Sequence, residues 1–205
     1  MYTAEDDEEK RLTHTWGSRL LPQFTENLSG DFEMAFQRGD FQNEDQQGLL
    51  LWGSLKYDLL QVNFLNYIKT GFYYLSGDDP DTDKNEAWNG TFAGWPQFST
   101  LSVISASGSD LGKARIHNIS SPFVEFGVPL PYGNLRLAYW KMLADTNSDP
   151  DFDKDKGDLF VVKYKLPIRE GLIFEVSAEY MQPGDYYPDD IEDSLYMRIR
   201  LKYTF

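Results

Sequence analysis

Residues 195–205, at the end of the chain, read LYMRIRLKYTF and alternate between apolar and polar side chains. The apolar set is Leu195, Met197, Ile199, Leu201, Tyr203 and Phe205, and the polar set is Tyr196, Arg198, Arg200, Lys202 and Thr204. Because alternate residues of a strand point to opposite faces, this stretch predicts a β-strand with one apolar and one cationic face. That pattern is typical of a transmembrane strand, with apolar residues toward lipid, charges toward a wet lumen and aromatics at the interface. A soluble sandwich strand also alternates, so this alternative stays open.

The composition is compatible with either kind of all-β protein. A chain of 205 residues fits one barrel or sandwich. No stretch approaches about 18 consecutive apolar residues, which excludes a helical membrane protein. The mean hydropathy of -0.51 is compatible with a membrane barrel, since only every second strand residue must be apolar. The absence of cysteine excludes disulfides and thiolate chemistry.

The net charge of -14 comes mainly from predicted connections. Most acidic residues lie in the segments 5–9, 40–45, 78–86, 110, 145–158 and 185–193. The basic residues lie mostly inside alternating segments. With neither a basic patch nor a basic tail to contact phosphates, nucleic acid is not an expected partner.

Period-2 alternation predicts nine strands, and helical periodicity is nowhere convincing. The predicted strands are 11–20, 29–38, 46–57, 64–76, 116–128, 133–144, 157–167, 171–181 and 194–205. A tenth strand is an alternative within residues 99–106 (STLSVISA). We therefore predict an antiparallel transmembrane β-barrel meander with nine or ten strands in this chain.

The predicted links alternate between short and long. The short ones are 22–28, 58–63, 129–133 and 167–171, and the long ones are 39–45, 77–115, 145–156 and 182–193. Outer-membrane barrels sort their connections this way, with short periplasmic turns and longer extracellular loops. The longest link, 77–115, is expected to fold into the lumen, since unstructured loops of this length are usually functional.

Strand parity predicts which charged side chains line the pore. Phe160, Val162 and Tyr164 are assigned to the lipid side, which places their neighbours on the lumen side. The predicted pore-lining residues are Arg19, Arg38, Arg136, Lys163, Lys165, Glu175, Glu179, Arg198, Arg200 and Lys202. Surplus cations in a channel raise the local concentration of anions and repel cations. The alternative is that these ionic rows only stabilise the wet wall.

Several segments resemble the alginate export family of outer-membrane porins. They are GFYYLSGDDPDTDKNEAWNGTF (71–92), DFEMAFQRGD (31–40), FEVSAEYMQPGDYY (174–187) and the terminal SLYMRIRLKYTF (194–205). The resemblance implies a barrel of about eighteen strands, of which this chain would be the C-terminal half. It also implies a lumen lined by Arg and Lys that passes acidic polysaccharide or other anionic solutes. The Glu175 and Glu179 rows depart from that pattern.

The acidic loop after residue 144 is a candidate calcium site. Oxygen-bearing side chains alternate there as Asp145, Asn147, Asp149, Asp151, Asp153 and Asp155. A hard cation such as Ca²⁺ needs several converging carboxylates, although the bidentate glutamate of an EF-hand is missing. The alternative is a solvated acidic loop, and no other cofactor is expected.

Taken together, these patterns predict an outer-membrane porin of a Gram-negative bacterium that conducts anionic solutes and is not an enzyme. Its expected partners are outer-membrane lipid, lipopolysaccharide, and a second copy or missing N-terminal half that completes the barrel. The domain is residues 1–205, as one β-barrel domain or half of one. The alternatives are a soluble ligand-binding β-barrel or sandwich and an outer-membrane barrel lipase or protease. For an enzyme, only His14 and His117 offer an imidazole, and no motif marks a nucleophile.

Overall fold

The computed structural model describes residues 11–41, 44–60, 62–88, 99, 118–147, 153–188 and 191–205. Within these residues the chain forms ten β-strands and no helix. The strands are β1 (Arg11–Leu20), β2 (Leu28–Phe41), β3 (Glu44–Asp58), β4 (Tyr67–Leu75), β5 (Lys84–Asn85), β6 (Ile119–Leu130), β7 (Gly133–Leu143), β8 (Asp155–Arg169), β9 (Leu172–Gln182) and β10 (Ser194–Tyr203).

Nine long strands form one antiparallel meander in the order β1, β2, β3, β4, β6, β7, β8, β9, β10. Each of the nine coincides with a strand predicted from alternation, so the all-β antiparallel meander is confirmed. The short β5 was not predicted, and it pairs in parallel with β3 through Asp45 and Gln46. The alternative strand within 99–106 lies outside the described residues except for Ser99.

The sheet is open in the part of the chain that the structure describes. β1 pairs only with β2, and β10 pairs only with β9. Each edge strand therefore presents a row of backbone N–H and C=O groups that none of the described strands covers. Among the same residues, no helix is both long and apolar enough to cross a membrane. Closure into a barrel stays a prediction.

The predicted long link at 39–45 is wrong. β2 and β3 pair through Asp40 with Asp45 and through Phe41 with Glu44, so only residues 42 and 43 separate the strands. The acidic composition of this stretch is typical of a loop, but backbone pairing satisfies its polar groups as well as water would. The contrast in link length holds from β6 onward, where two-residue links alternate with longer ones.

Residues paired across antiparallel strands point to the same side, so the register sorts side chains onto two faces. We call them the exposed face and the buried face. Every long strand places a large, solvent-exposed apolar side chain on the exposed face. Examples in strand order are Trp16, Phe36, Leu55, Phe72, Leu130, Leu137, Phe160, Tyr180 and Leu195. The buried face has aromatic residues toward the end of the sheet that carries the β7–β8 link. Its charged residues lie toward the other end, where two-residue links join β6 to β7 and β8 to β9.

Buried aromatic rings from neighbouring strands stack on the buried face. We call Trp52, Tyr73, Phe123 and Trp140 the aromatic cluster. The ring centroids of Trp52 and Phe123 are 5.3 Å apart, and those of Phe123 and Trp140 are 4.0 Å apart.

Trp52 and Phe123 stack across β4 because Gly71 has no side chain between them. A Cβ at Gly71 would lie 2.7 Å from the Phe123 ring and 2.2 Å from the carbonyl oxygen of Gly53. Contacts as short as these do not occur without displacement of the backbone or the ring. Gly71 is therefore the residue that lets the aromatic cluster continue across three strands.

Candidate functional site: the charged zone of the buried face

Charged residues of β4 and β6–β10 gather on the buried face near the two-residue links. We call this set the charged zone: Tyr67, Lys69, Glu125, Arg136, Lys163, Lys165, Glu175, Arg198 and Arg200. Register brings them together, since Arg136 pairs with Lys163, and Glu175 pairs with both Lys165 and Arg200. Residues far apart in sequence thereby share one surface, as strand parity predicts for most of them.

Glu175 is the centre of the first half of the charged zone. Its side chain is only 3 % exposed, and its Oε1 lies 2.9 Å from Arg200. Lys163, Lys165 and Arg198 stand farther off, with nitrogen–oxygen distances of 3.9, 3.8 and 3.8 Å. Burying a carboxylate is costly unless charge compensates it, and four cations surround this one. The surplus positive charge makes this part of the buried face attractive to anions.

Glu125 organises the other half. Its Oε2 accepts a hydrogen bond from Arg136 Nε at 2.6 Å, and the Arg136 Nη2 lies 2.6 Å from the same oxygen. Its Oε1 accepts a hydrogen bond from the Tyr67 hydroxyl at 2.8 Å. The Tyr67 ring fits across β6 because Gly127 has no side chain. A Cβ at Gly127 would lie only 2.1 Å from the ring. This tight pairing fixes the position of the Arg136 guanidinium.

Lys69 links the charged zone to the aromatic cluster. Its Nζ lies 5.1 Å from the ring centroid of Trp52 and 5.8 Å from that of Phe123. These distances are within the range of cation–π attraction. The Lys69 side chain therefore lies along the boundary between the two regions.

Glu179 lies on the same face, deeper among apolar neighbours. It is fully buried and accepts a hydrogen bond from the Ser99 hydroxyl. Ser99 belongs to the long link between β4 and β6, whereas Glu179 is on β9. This one contact places Ser99 against the buried face several strands away from the strands its link connects.

The remaining predicted pore-lining residues are farther from Glu175. Lys202 lies on the buried face of the edge strand β10, opposite Ile173. Arg19 is on the same face at the other edge, where its guanidinium donates two 2.8 Å hydrogen bonds to Asp31. Arg38 pairs in register with His14 and therefore lies on the exposed face. The structure does not bring Arg38 together with the other predicted residues.

The predicted calcium ligands are only partly described. Asp149 and Asp151 lie outside the described residues, among which no group of three His, Cys, Asp or Glu side chains could hold a metal. Asp145 Oδ2 accepts hydrogen bonds from the Tyr74 hydroxyl at 2.8 Å and the Gly77 amide at 3.0 Å.

The other described members of that set are engaged as well. Asp155 contacts Lys141 Nζ at 2.8 Å, Asp153 accepts a hydrogen bond from the Lys154 amide, and Asn147 donates one to the Asp153 carbonyl. Protein donors therefore already contact several of the predicted ligand oxygens. The calcium hypothesis stays untested.

Glu125 and Tyr67 were not predicted as site residues. Glu125 follows the alternation of SPFVEFGVPL in β6, which places it with Phe123 rather than Val124. That parity was a usable signal for its face. The ion pair with Arg136 depends on the register of β6 and β7, which the sequence does not give.

Comparison with known proteins adds no identification: no family model and no curated protein matches the chain.

Proposed function

We propose that this chain forms part of the wall of an outer-membrane channel in a Gram-negative bacterium, with its exposed face toward lipid. The buried face would then line an aqueous lumen that favours anions. The charged zone would be the selective part of that lumen. No catalytic role is proposed.

The observation that carries this proposal is the inverted distribution of side chains. Apolar side chains such as Trp16, Phe160 and Leu195 are exposed, while charged Lys163 and Glu175 on the opposite face are buried. A soluble protein has the reverse arrangement, because exposed apolar area is unfavourable in water. Contact with hydrocarbon makes the same face favourable.

The charge of the buried face supports a preference for anions. Within the charged zone, six cations stand near two carboxylates, Glu125 and Glu175. The cations are Lys69, Arg136, Lys163, Lys165, Arg198 and Arg200. In a narrow passage with low-dielectric walls, such an excess concentrates anions. From the resemblance to alginate export porins, we further propose that the conducted solute is an acidic polysaccharide.

The two open edges require a partner for a closed barrel. β1 and β10 run in the same direction, since they are the first and last of nine antiparallel strands. Direct closure would therefore pair them in parallel, against the antiparallel rule of outer-membrane barrels. We propose that further strands, from a second copy or a preceding segment, complete the ring.

The long link is proposed to enter the lumen. Ser99 reaches Glu179 on the buried face, and Trp88 packs into the aromatic cluster's apolar surroundings. A segment lying on this face would narrow the passage.

Outer-membrane lipid and lipopolysaccharide are the proposed partners of the exposed face and its acidic links.

The soluble alternative has one observation in its favour, the packed apolar layer around Trp140 and Met142 on the buried face. A soluble protein would need its exposed apolar face covered as well. The enzyme alternative has no such support, since His14 lies on the exposed face beside Trp16 and His117 lies outside the described residues.

Planar bilayers give the direct test of function. The chain is refolded in detergent and added to bilayers that separate a concentrated from a dilute salt solution, with the gradient in either direction. The reversal potential of the current is then measured. We expect discrete conductance steps and a reversal potential displaced toward the equilibrium potential of the anion. A cation-preferring pore would contradict the proposal, and no conductance from well-folded protein would contradict closure by a second copy of this chain.

A further inference from the structure

A cavity of about 210 Å³ opens on the buried face between β4, β6, β7 and β8. Arg136, Lys163 and Lys165 line it, together with the side chains of Asn66 and Asn134. Among the residues that the structure describes, no carboxylate lines it. Its volume exceeds the roughly 30 Å³ that one water molecule occupies in the liquid. The cavity therefore offers room for a small ionic group surrounded by donors.

The two lysines of the cavity retain unused hydrogen-bonding capacity. Both stand 3.8–3.9 Å from Glu175, beyond hydrogen-bond distance, and no described residue accepts a hydrogen bond from either ammonium. Each ammonium has three N–H donors. Their charge is thus held in place by Glu175, while their donors remain available to an oxygen acceptor inside the cavity.

The third cation is fixed more tightly. Arg136 donates to Glu125 through one edge of its guanidinium, which leaves other N–H groups free to face the cavity. Asn66 donates a 3.3 Å hydrogen bond to Asn134, so the two amides border the cavity as a connected pair. Glu125 and Glu175 are buried and hold the three cations beside the cavity. The N–H donors of these cations therefore form a preorganised site.

We propose that this cavity is an oxyanion subsite, which holds a carboxylate, sulfate or phosphate group between Arg136, Lys163 and Lys165. The inference rests on the proposed function and deepens it, because it locates a binding step for anions within the charged zone. Charge-assisted hydrogen bonds from three cations are the recognition chemistry. A neutral solute of the same size lacks the opposite charge that strengthens these bonds.

Titration calorimetry on the full chain in detergent tests the subsite. Sodium sulfate, phosphate and acetate are titrated separately at constant ionic strength set by chloride. We expect saturable 1:1 binding of at least one of them, and the ranking identifies the preferred oxyanion group. Failure of all three to saturate would overturn the proposal.

The key variant is Lys165→Gln, because the Lys165 side chain is 55 % exposed and its loss should not impair folding. Loss of a hydrogen bond to a charged group is expected to weaken binding about tenfold. Lys84→Gln is the matched control, since it removes the same charge from an exposed position in β5 and should leave affinity unchanged. Equal affinity in wild type and Lys165→Gln, or equal weakening by both variants, would contradict a localised subsite.

A second measurement does not depend on any variant. In ¹⁵N-labelled protein, the bound anion should shift the backbone amide of Gly127 and the side-chain amide of Asn134 more than amides in β1. Uniform shifts across the sheet would overturn the proposal. An anion-selective pore without saturable binding would remove this inference alone, whereas saturable binding in a cation-preferring pore would remove the proposed function alone.

Discussion

The aromatic cluster and the charged zone occupy the same face of the same strands, yet they are built differently. Trp52 and Trp140 are almost completely buried, and the centroids of contacting rings in the cluster lie 4.0–6.4 Å apart. In the charged zone, three of the four cations around Glu175 stand beyond hydrogen-bond distance, and a cavity opens beside them. The first region is close-packed, whereas the second is loosely paired around Glu175.

If the proposed channel function holds, the difference between the two regions separates stability from ion selectivity. Removing a close-packed ring leaves a cavity whose cost is several kcal/mol. Removing one of several partly exposed cations costs little, because its neighbours and solvent compensate. We therefore expect substitutions in the aromatic cluster to change the free energy of unfolding, and substitutions in the charged zone to change ion preference.

The largest expected effect is that of Trp140→Ala. Trp140 is 1 % exposed and stacks on Phe123, so its truncation should lower the free energy of unfolding by about 3–5 kcal/mol. Urea unfolding of the detergent-folded protein, followed by circular dichroism, measures the change. A loss below about 1 kcal/mol would show that the ring is not packed as described.

Gly71→Ala is the next most disruptive change. The added Cβ would collide with the Gly53 carbonyl oxygen and the Phe123 ring, and overpacking of this kind costs about 1–3 kcal/mol. Gly53→Ala is the matched control, because a Cβ there meets its nearest atom, on Phe32, at an ordinary 3.5 Å. Equal destabilisation by the two alanines would contradict the role assigned to Gly71.

Tyr67→Phe tests the border of the charged zone. It removes the hydroxyl that donates to the buried Glu125, and we expect a loss of about 1.5 kcal/mol in the free energy of unfolding. Tyr57→Phe, on the exposed face of β3, serves as the control and should change stability by less than about 0.5 kcal/mol. A neutral Tyr67→Phe would mean that the Tyr67–Glu125 hydrogen bond adds nothing to stability.

The smallest expected stability effect is that of Arg200→Gln. Its side chain is 47 % exposed, and three other cations remain around Glu175, so unfolding should change by less than about 1 kcal/mol. The reversal potential should nevertheless move toward cation preference, since a positive charge leaves the wall. We also expect Trp140→Ala pores to keep the wild-type ion selectivity, which would show that stability and selectivity belong to different regions. Unchanged selectivity in Arg200→Gln would contradict that assignment.

Alternation in the sequence was sufficient to place the nine long strands. Period-2 patterns such as that of residues 195–205 persist because one face is uniformly apolar. The two-residue β5 has no pattern of its own, since its pairing to β3 is set by the fold of the link. The pairing of Phe41 with Glu44 was missed because the acidic residues around it look like a loop while their backbones pair.

The charged zone was predictable in its faces but not in its partners. Parity places Lys163, Glu175 and Arg200 on one side, as the structure has them. The same parity, applied from Phe36, would have put Arg38 on the exposed face. The pairing of Glu125 with Arg136 depends on strand register, which pattern alone does not define. The aromatic cluster likewise depends on the space above Gly71.

The surroundings of the two faces are the most direct test of the account. The chain has no cysteine, so single cysteines at the neighbouring positions Val162 and Lys163 can each carry a spin label in reconstituted lipid vesicles. We predict that the label at position 162 collides with oxygen, which concentrates in lipid, and that the label at 163 collides with a water-soluble nickel complex. Equal access of the nickel complex to both positions, or burial of position 162 away from both reagents, would contradict a lipid-facing exposed face.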